Sequence, residues 1–174
     1  ILAAGCAASL AGVPLDAARR AVATFPGVEH RLEFVRRLDE VDYFNDSKAT
    51  NVDASLKALE SFDGGLWVIL GGKDKGSDYA PLAPLLLTRA RGALLIGAAA
   101  AKIRAHLEPA LGPAWPLLDC GDLAAAVREA RVRARAGDTV LLAPACASFD
   151  QFTSFEHRGR TFKDLVHSLA GGRP

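Results

Sequence analysis

The chain has 174 residues, half of them hydrophobic, with 21 Lys and Arg against 20 Asp and Glu. That length supports one good core and at most a small appendage, and a formal charge of +1 with interspersed signs leaves no basic stripe for nucleic acid. Cys6, Cys120 and Cys146 lie far apart without C-x-x-C spacing, which argues against a disulfide framework or a zinc site and suits the reduced thiols of a cytoplasm. No apolar run approaches the ~20 residues a bilayer demands, and no basic stretch precedes the first apolar residues.

The sequence opens without Met, at Ile1, directly into a helical pattern that reaches Leu10 and a cap at Gly12, as if cut through an element. A second helix follows from Pro14, a good first-turn residue, through Val22. Phe25-Pro26-Gly27 then breaks the chain, and a domain boundary is placed there. Two helices this short cannot bury their apolar faces alone, so their partner surface is expected elsewhere.

Beyond the break, Leu32 to Val35 and Val41 to Phe44 read as two short strands joined at Asp39-Glu40. Asn51 is placed to cap a helix over 52–62. Strands and helices then alternate. Strands are expected at 66–70, 93–96, 115–118 and 139–143, and helices at 80–87, 99–106, 122–135 and 155–169. The continuous apolar runs at Leu66 to Leu70 and Thr139 to Ala143 suit parallel strands covered on both faces. The fold class is therefore α/β, a doubly wound, mostly parallel sheet with flanking helices, preceded by two short helices.

Ligands of such sheets bind beyond the carboxyl ends of the strands. Three loops there are rich in polar residues: Asp46 to Thr50, Gly72 to Asp78, and Pro144 to Asp150. Asp46-Ser47-Lys48-Ala49-Thr50-Asn51 supplies a carboxylate, an ammonium and two hydroxyls, more than chain reversal needs. Simpler readings stand beside the functional ones. Gly71-Gly72 after a strand can be a plain tight turn, because no complete phosphate-binding glycine motif is present. Lys73 and Lys75 read equally well as a solvated loop, and His30-Arg31 and His157-Arg158 as surface pairs. Ser148 lacks a G-x-S-x-G elbow, which argues against a hydrolase nucleophile. Cys146 reads as a small buried residue.

Asp46-Ser-Lys-Ala-Thr-Asn51, with Gly27-Val-Glu-His30-Arg31 upstream and Pro144-Ala-Cys-Ala-Ser-Phe-Asp-Gln-Phe152 and Phe155-Glu-His-Arg-Gly159 downstream, resembles the Mur ligases. Lys48-Ala49-Thr50 resembles the type that adds D-glutamate. The resemblance implies a Rossmann-like C-terminal ligase domain over 27–174, with residues 1–26 as the helical tail of a central ATP-binding domain. It implies peptidoglycan synthesis: ATP phosphorylates UDP-N-acetylmuramoyl-L-alanine, and the amine of D-glutamate attacks the acyl phosphate. It further implies that Thr50, Lys75, Ser148, Phe149 and Phe155 bind D-glutamate, with Lys73 as the backup for Lys75. Arg31, Asp46 and Lys48 are implied to face ATP, with Asp46 meeting a ribose hydroxyl or Lys48 itself. Lys48 and His30 are the implied catalytic positions. Mg2+ is implied for the complete enzyme, with its ligands mostly outside this chain, as are the P-loop and the sugar-binding domain. Two other classes remain open: a non-catalytic amino-acid or nucleotide-binding module, and an interaction protein whose charged loops are merely solvated.

Overall fold

The two most apolar runs of the sequence lie side by side at the centre of the sheet. In the computed structural model, which describes residues 2–25 and 27–172, β3 (Leu66–Gly71) is buried at every position. It pairs in parallel with β6 (Thr139–Leu142), Leu66 opposite Thr139 and Ile69 opposite Leu142. Beyond β6 lies β2 (Val41–Asn45), and beyond β3 lie β4 (Ala90–Ile96) and then β5 (Leu117–Gly121), all parallel. At one edge β1 (Glu33–Leu38) runs antiparallel to β2, so the order is β1-β2-β6-β3-β4-β5. Asp39 and Glu40 turn that hairpin with φ of 47° and 60°, the left-handed pair that a two-residue hairpin requires.

Alternation along each strand sorts the core into two layers. Val68, Leu70, Ala93, Leu95 and Leu141 face one side, against α3 (Val52–Glu60), α4 (Ala83–Arg89) and α5 (Ala100–Leu111). Trp67, Ile69, Leu94, Val140 and Leu142 face the other, against α6 (Leu123–Arg133) and α7 (Phe155–Ser168). Helices thus cover both faces, as the sequence pattern predicts. Asn51 caps α3 as expected, its Oδ1 accepting from the Ala54 N–H at 2.8 Å.

Element boundaries differ in instructive ways. The helix expected over 80–87 begins as a 3-10 turn, Ala80–Leu82, and becomes α4 only at Ala83, with a proline in the first turn of each segment. Helix α5 runs past His106 and carries Pro109 in its last turn before stopping at Gly112, whose φ is 81°. The strand expected at 115–118 lies at Leu117–Gly121. No helix among the described residues is long and apolar enough to cross a membrane.

Helices α1 (Leu2–Leu10) and α2 (Leu15–Thr24) precede the sheet and pair with each other. None of the described residues of α2 is buried, and Leu10, Leu15, Val22 and Phe25 are exposed. A hollow of about 390 Å³ between these helices is lined by Ala4, Gly5, Ala8, Ala18, Ala21, Val22 and Phe25, without an ionisable group. Of the break at Phe25-Pro26-Gly27, and of the opening residue Ile1, positions 26 and 1 lie outside the described residues.

Candidate active site at the carboxyl ends of the strands

Strand β2 delivers Asn45 and Asp46 to the edge where β6 and β3 also end. The Asp46 N–H continues the ladder to Leu142 O at 2.9 Å, and the Ala145 N–H reaches back to Ala49 O at 2.9 Å. The loop after β2 is thereby stitched to the loop after β6. Burial pushes the Asp46 carboxyl up from an ordinary 3.8 to about 6, opposed by a hydrogen bond from the Leu32 backbone and by the charge of Arg31. An open groove of about 460 Å³ gathers Arg31, Asp46 and Lys48 with Leu32, Lys57 and Ser61. The three residues implied to face a nucleotide therefore share one surface. Thr50, Lys75, Ser148, Phe149 and Phe155 are not among its lining residues.

Lys48 links that groove to the other loop. Its ammonium lies 3.9 Å from the centroid of the Phe155 ring, at the start of α7, and its N–H donates to His30 O at 3.1 Å. The alternative in which Asp46 meets Lys48 itself is corrected, because the ammonium lies over the aromatic face instead.

Arg158 and His30 overturn the surface-pair reading, since both are buried, Arg158 completely. Arg158 Nε donates to Ser47 Oγ at 3.0 Å, and Nη2 donates to Ser47 O and Cys146 O at 3.0 and 3.1 Å. Its Nη1 donates to Ala147 O at 3.3 Å. Ser47 Oγ in turn donates to Phe155 O at 2.8 Å. One guanidinium, with its planar fork of five donors, therefore holds the β2–α3 and β6–α7 loops together. Burial lowers its pKa to about 10, so it stays charged at neutral pH. Its helical neighbour Gly159 is required sterically. A Cβ there would drive into the His30 ring.

His30 sits in a left-handed backbone conformation, φ 65°, with its ring inside. The Asn45 amide lies 2.9 Å from Nδ1 and also donates to Glu33 Oε2 at 2.9 Å. With Nδ1 accepting, the ring proton sits on Nε2, which faces Glu29 Oε1 at 3.6 Å, beyond hydrogen-bond length. His30 also meets Phe155 edge to face, with centroids 6.0 Å apart. Glu29, His30 and Glu33 are the one group of potential metal ligands among the described residues. They do not fit a resident Mg2+ site: Lys163 Nζ already lies 2.7 Å from Glu29 Oε1 and 2.9 Å from Glu33 Oε1, filling the place of a cation. Hydrogen bonding from Lys163 holds Glu29 below the usual carboxylate range, and in Glu33 bonds from His30 and Lys163 outweigh burial.

Gly71 and Gly72 have φ of 125° and 132°, and added Cβ atoms would run into Ile96 O and Ala147 O. Close backbone approach explains this glycine pair without a phosphate. Beyond it, the Lys73 N–H donates to Ala147 O at 2.8 Å, which lays the lysine loop along residues 146–148. Lys73 and Lys75 are exposed and form no ion pair among the described residues. Ser148 is buried, with its carbonyl accepting from the Phe152 N–H at 2.9 Å, while Phe149 is exposed. Thr50 is half-buried beside Lys48. Cys146 is buried, as expected. Ser47, Asn45, Glu33 and Arg158 are the structural partners that residue-by-residue reading passes over. A glycine inside the amphipathic α7, next to an Arg, is the signal that could have found them.

The loops that leave β2, β3 and β6 thus meet at one edge of a doubly wound sheet, and comparison with known proteins gives the family to which that arrangement belongs. Residues 30–146 match the model of the Mur ligase, glutamate ligase domain, and the chain belongs to the Mur ligase family. It is similar to the UDP-N-acetylmuramoylalanine–D-glutamate ligase of Solibacter usitatus, 62% identical over 169 residues that cover 97% of this chain and 37% of that protein. The same-named enzyme of Acidobacterium capsulatum is 56% identical over 98% of this chain and 36% of its own length. The chain thus spans little more than a third of these relatives. Among solved structures, a murein peptide ligase of Psychrobacter arcticus matches with a TM-score of 0.59 at 18% identity, covering 97% of this chain and 36% of that one. A bifunctional folylpolyglutamate synthase/dihydrofolate synthase of Yersinia pestis matches with a TM-score of 0.61 at 18% identity, over 87% and 34%. At such identities they show the fold alone.

Proposed function

We propose that this chain is the C-terminal part of an ATP-dependent ligase that adds D-glutamate to UDP-N-acetylmuramoyl-L-alanine in peptidoglycan biosynthesis. The supporting observation is the identity to D-glutamate ligases along nearly the whole chain, 62% in one relative, together with the loops that carry the motif residues meeting at one sheet edge. In this reading residues 1–26 are the tail of the ATP-binding domain and 27–174 the amino-acid domain.

The free amino acid is a dicarboxylate, so its site needs fixed donors. Lys75 and Thr50, with Ser148, Phe149 and Phe155, serve that end. Arg31 and Lys48 offset phosphate charge, and Asp46 faces the ribose. Lys48, lying between the groove and Phe155, is where nucleotide and amino-acid sides meet, and His30 holds the Lys48 backbone through its carbonyl. ATP supplies the phosphoryl group that activates the sugar-peptide carboxylate, and this chain's part is to orient the attacking amine. Phosphate release by the full-length protein, requiring UDP-N-acetylmuramoyl-L-alanine, D-glutamate, ATP and Mg2+ together, tests the reading. Turnover that is indifferent to D-glutamate sinks it, as does magnesium-dependent ATP hydrolysis by residues 1–174 alone.

A further inference from the structure

The loop leaving β3 carries two lysines around one carboxylate, and of these three side chains only the carboxylate makes an ion pair among the described residues. Asp74 Oδ1 accepts from the Tyr79 hydroxyl at 2.8 Å and from the Ser77 N–H at 3.2 Å, and Oδ2 accepts from Lys102 Nζ at 2.8 Å. Lys102 belongs to α5, and the Tyr79 N–H donates to His106 Nδ1 of the same helix at 3.2 Å. The Tyr79 hydroxyl also lies 3.0 Å from Cys146 Sγ. A phenol has one proton. With that proton directed at Asp74, the tyrosine oxygen is left to accept from the Cys146 thiol. The resulting chain of bonds spans three segments: α5, the lysine loop, and the loop after β6, where Ser148 follows Cys146 by two residues.

We propose that Asp74 is a positioning residue for the amino-acid substrate. It fixes the Lys75 ammonium relative to Ser148 and Phe149 by anchoring the lysine loop to α5 through Lys102 and to the β6–α7 loop through Tyr79. The proposal rests on the D-glutamate reading above. A segment bounded by Gly71, Gly72 and Gly76 is conformationally permissive, and an untethered lysine loses more freedom when it captures a carboxylate. Lys102 has a second effect. By neutralising Asp74 it removes the nearest competitor for the neighbouring ammonium groups, leaving Lys73 and Lys75 available to an anionic substrate.

The test uses the full-length enzyme with Asp74→Asn, Lys102→Met and the double variant. The expected result is a D-glutamate KM raised roughly tenfold in each. The double variant should be no worse than either single one, and Lys102→Arg should restore the parent value. The KM values for ATP and the UDP-sugar substrate, and the melting temperature, should stay at parent values. An unchanged D-glutamate KM in both single variants overturns the proposal. Parallel rises in all three KM values with a lowered melting temperature also overturn it, since that pattern marks a merely structural role. Hydrogen exchange separates this from the functional reading: Asp74→Asn should speed exchange at the amides of residues 73–76, and unchanged exchange refutes the anchoring whatever the substrate. A parent enzyme that ignores D-glutamate while showing the faster exchange in the variant refutes only the assigned substrate.

Discussion

The Lys48 ammonium rests 3.9 Å from the centroid of the Phe155 ring, joining a residue of the groove beside Asp46 to one proposed above to hold the amino acid. The two sides of the proposed reaction are therefore coupled through one contact. Replacing Phe155 by Leu keeps apolar bulk and removes the quadrupole that holds the cation. The expected outcome in the full-length enzyme is a rise in KM for both ATP and D-glutamate. A double-mutant cycle with Lys48→Met on kcat/KM should give a coupling of about 1 kcal/mol. Additive effects would show that the pair is incidental.

Arg158 is the domain's internal clamp, and its removal should be felt as stability. Arg158→Met leaves Ser47 O, Cys146 O and Ala147 O without their donor in a buried place. The expected loss is roughly 3 kcal/mol in urea unfolding. Arg158→Lys should recover little, because one ammonium cannot reproduce the planar fork.

Gly159→Ala should destabilise by about 1–3 kcal/mol, since the methyl group collides with the buried His30 ring and α7 cannot yield without losing the Arg158 bonds. Gly5→Ala in α1, where an added Cβ meets nothing, should instead stabilise the isolated chain by roughly 0.5–1 kcal/mol. Thermal unfolding of the two variants side by side checks both signs.

Asp46 makes a pH signature. Its carboxyl titrates at about 6 in the fold against 3.8 ordinarily, so the folded state binds the proton more tightly than the unfolded chain. The stability this contributes is present below the lower value and is lost as pH rises through the upper one. Above it, the buried charge costs of the order of 2–3 kcal/mol. Asp46→Asn should therefore gain on the parent between acid and neutral pH, and chemical denaturation at pH 4 and pH 8 measures that difference. A constant difference across the range would disprove it.

Lys75→Ala in the full-length enzyme should raise the D-glutamate KM strongly or abolish turnover, while Lys73→Ala should change it far less. Steady-state kinetics with D-glutamate varied decides between them, and parent-like behaviour of Lys75→Ala would remove Lys75 from the site.

Much of the fold could be read from hydrophobic period alone. Leu66 to Leu70 and Thr139 to Ala143 read as buried parallel strands because burial on both faces leaves no room for polar alternation. Asn51 announced a helix start because its side chain can satisfy an orphan N–H. The candidate site was legible as three polar loops at strand ends and as a motif with specific spacing. The internal polar architecture was not. His30 and Arg158 sit among charged neighbours and look solvated in one dimension. Only tertiary closure brings the carbonyls of Ser47, Cys146 and Ala147 to the guanidinium and Asn45 to the imidazole. Likewise the Gly71-Gly72 pair could be read as a plain tight turn, and its cause lies in backbone from Ile96 and Ala147 that no local window contains.

Strand β6 is the last strand in the chain, yet it lies between β2 and β3. During synthesis, β2 and β3 emerge long before the strand that must separate them. A ribosome carrying only the first five strands holds two apolar edges that must not zip together. Productive closure of the sheet waits for Thr139–Leu142, and the Arg158 clamp follows only after that. The domain's order of assembly thus favours late, cooperative folding, with its greatest exposure to misfolding just before β6 and α7 leave the exit tunnel.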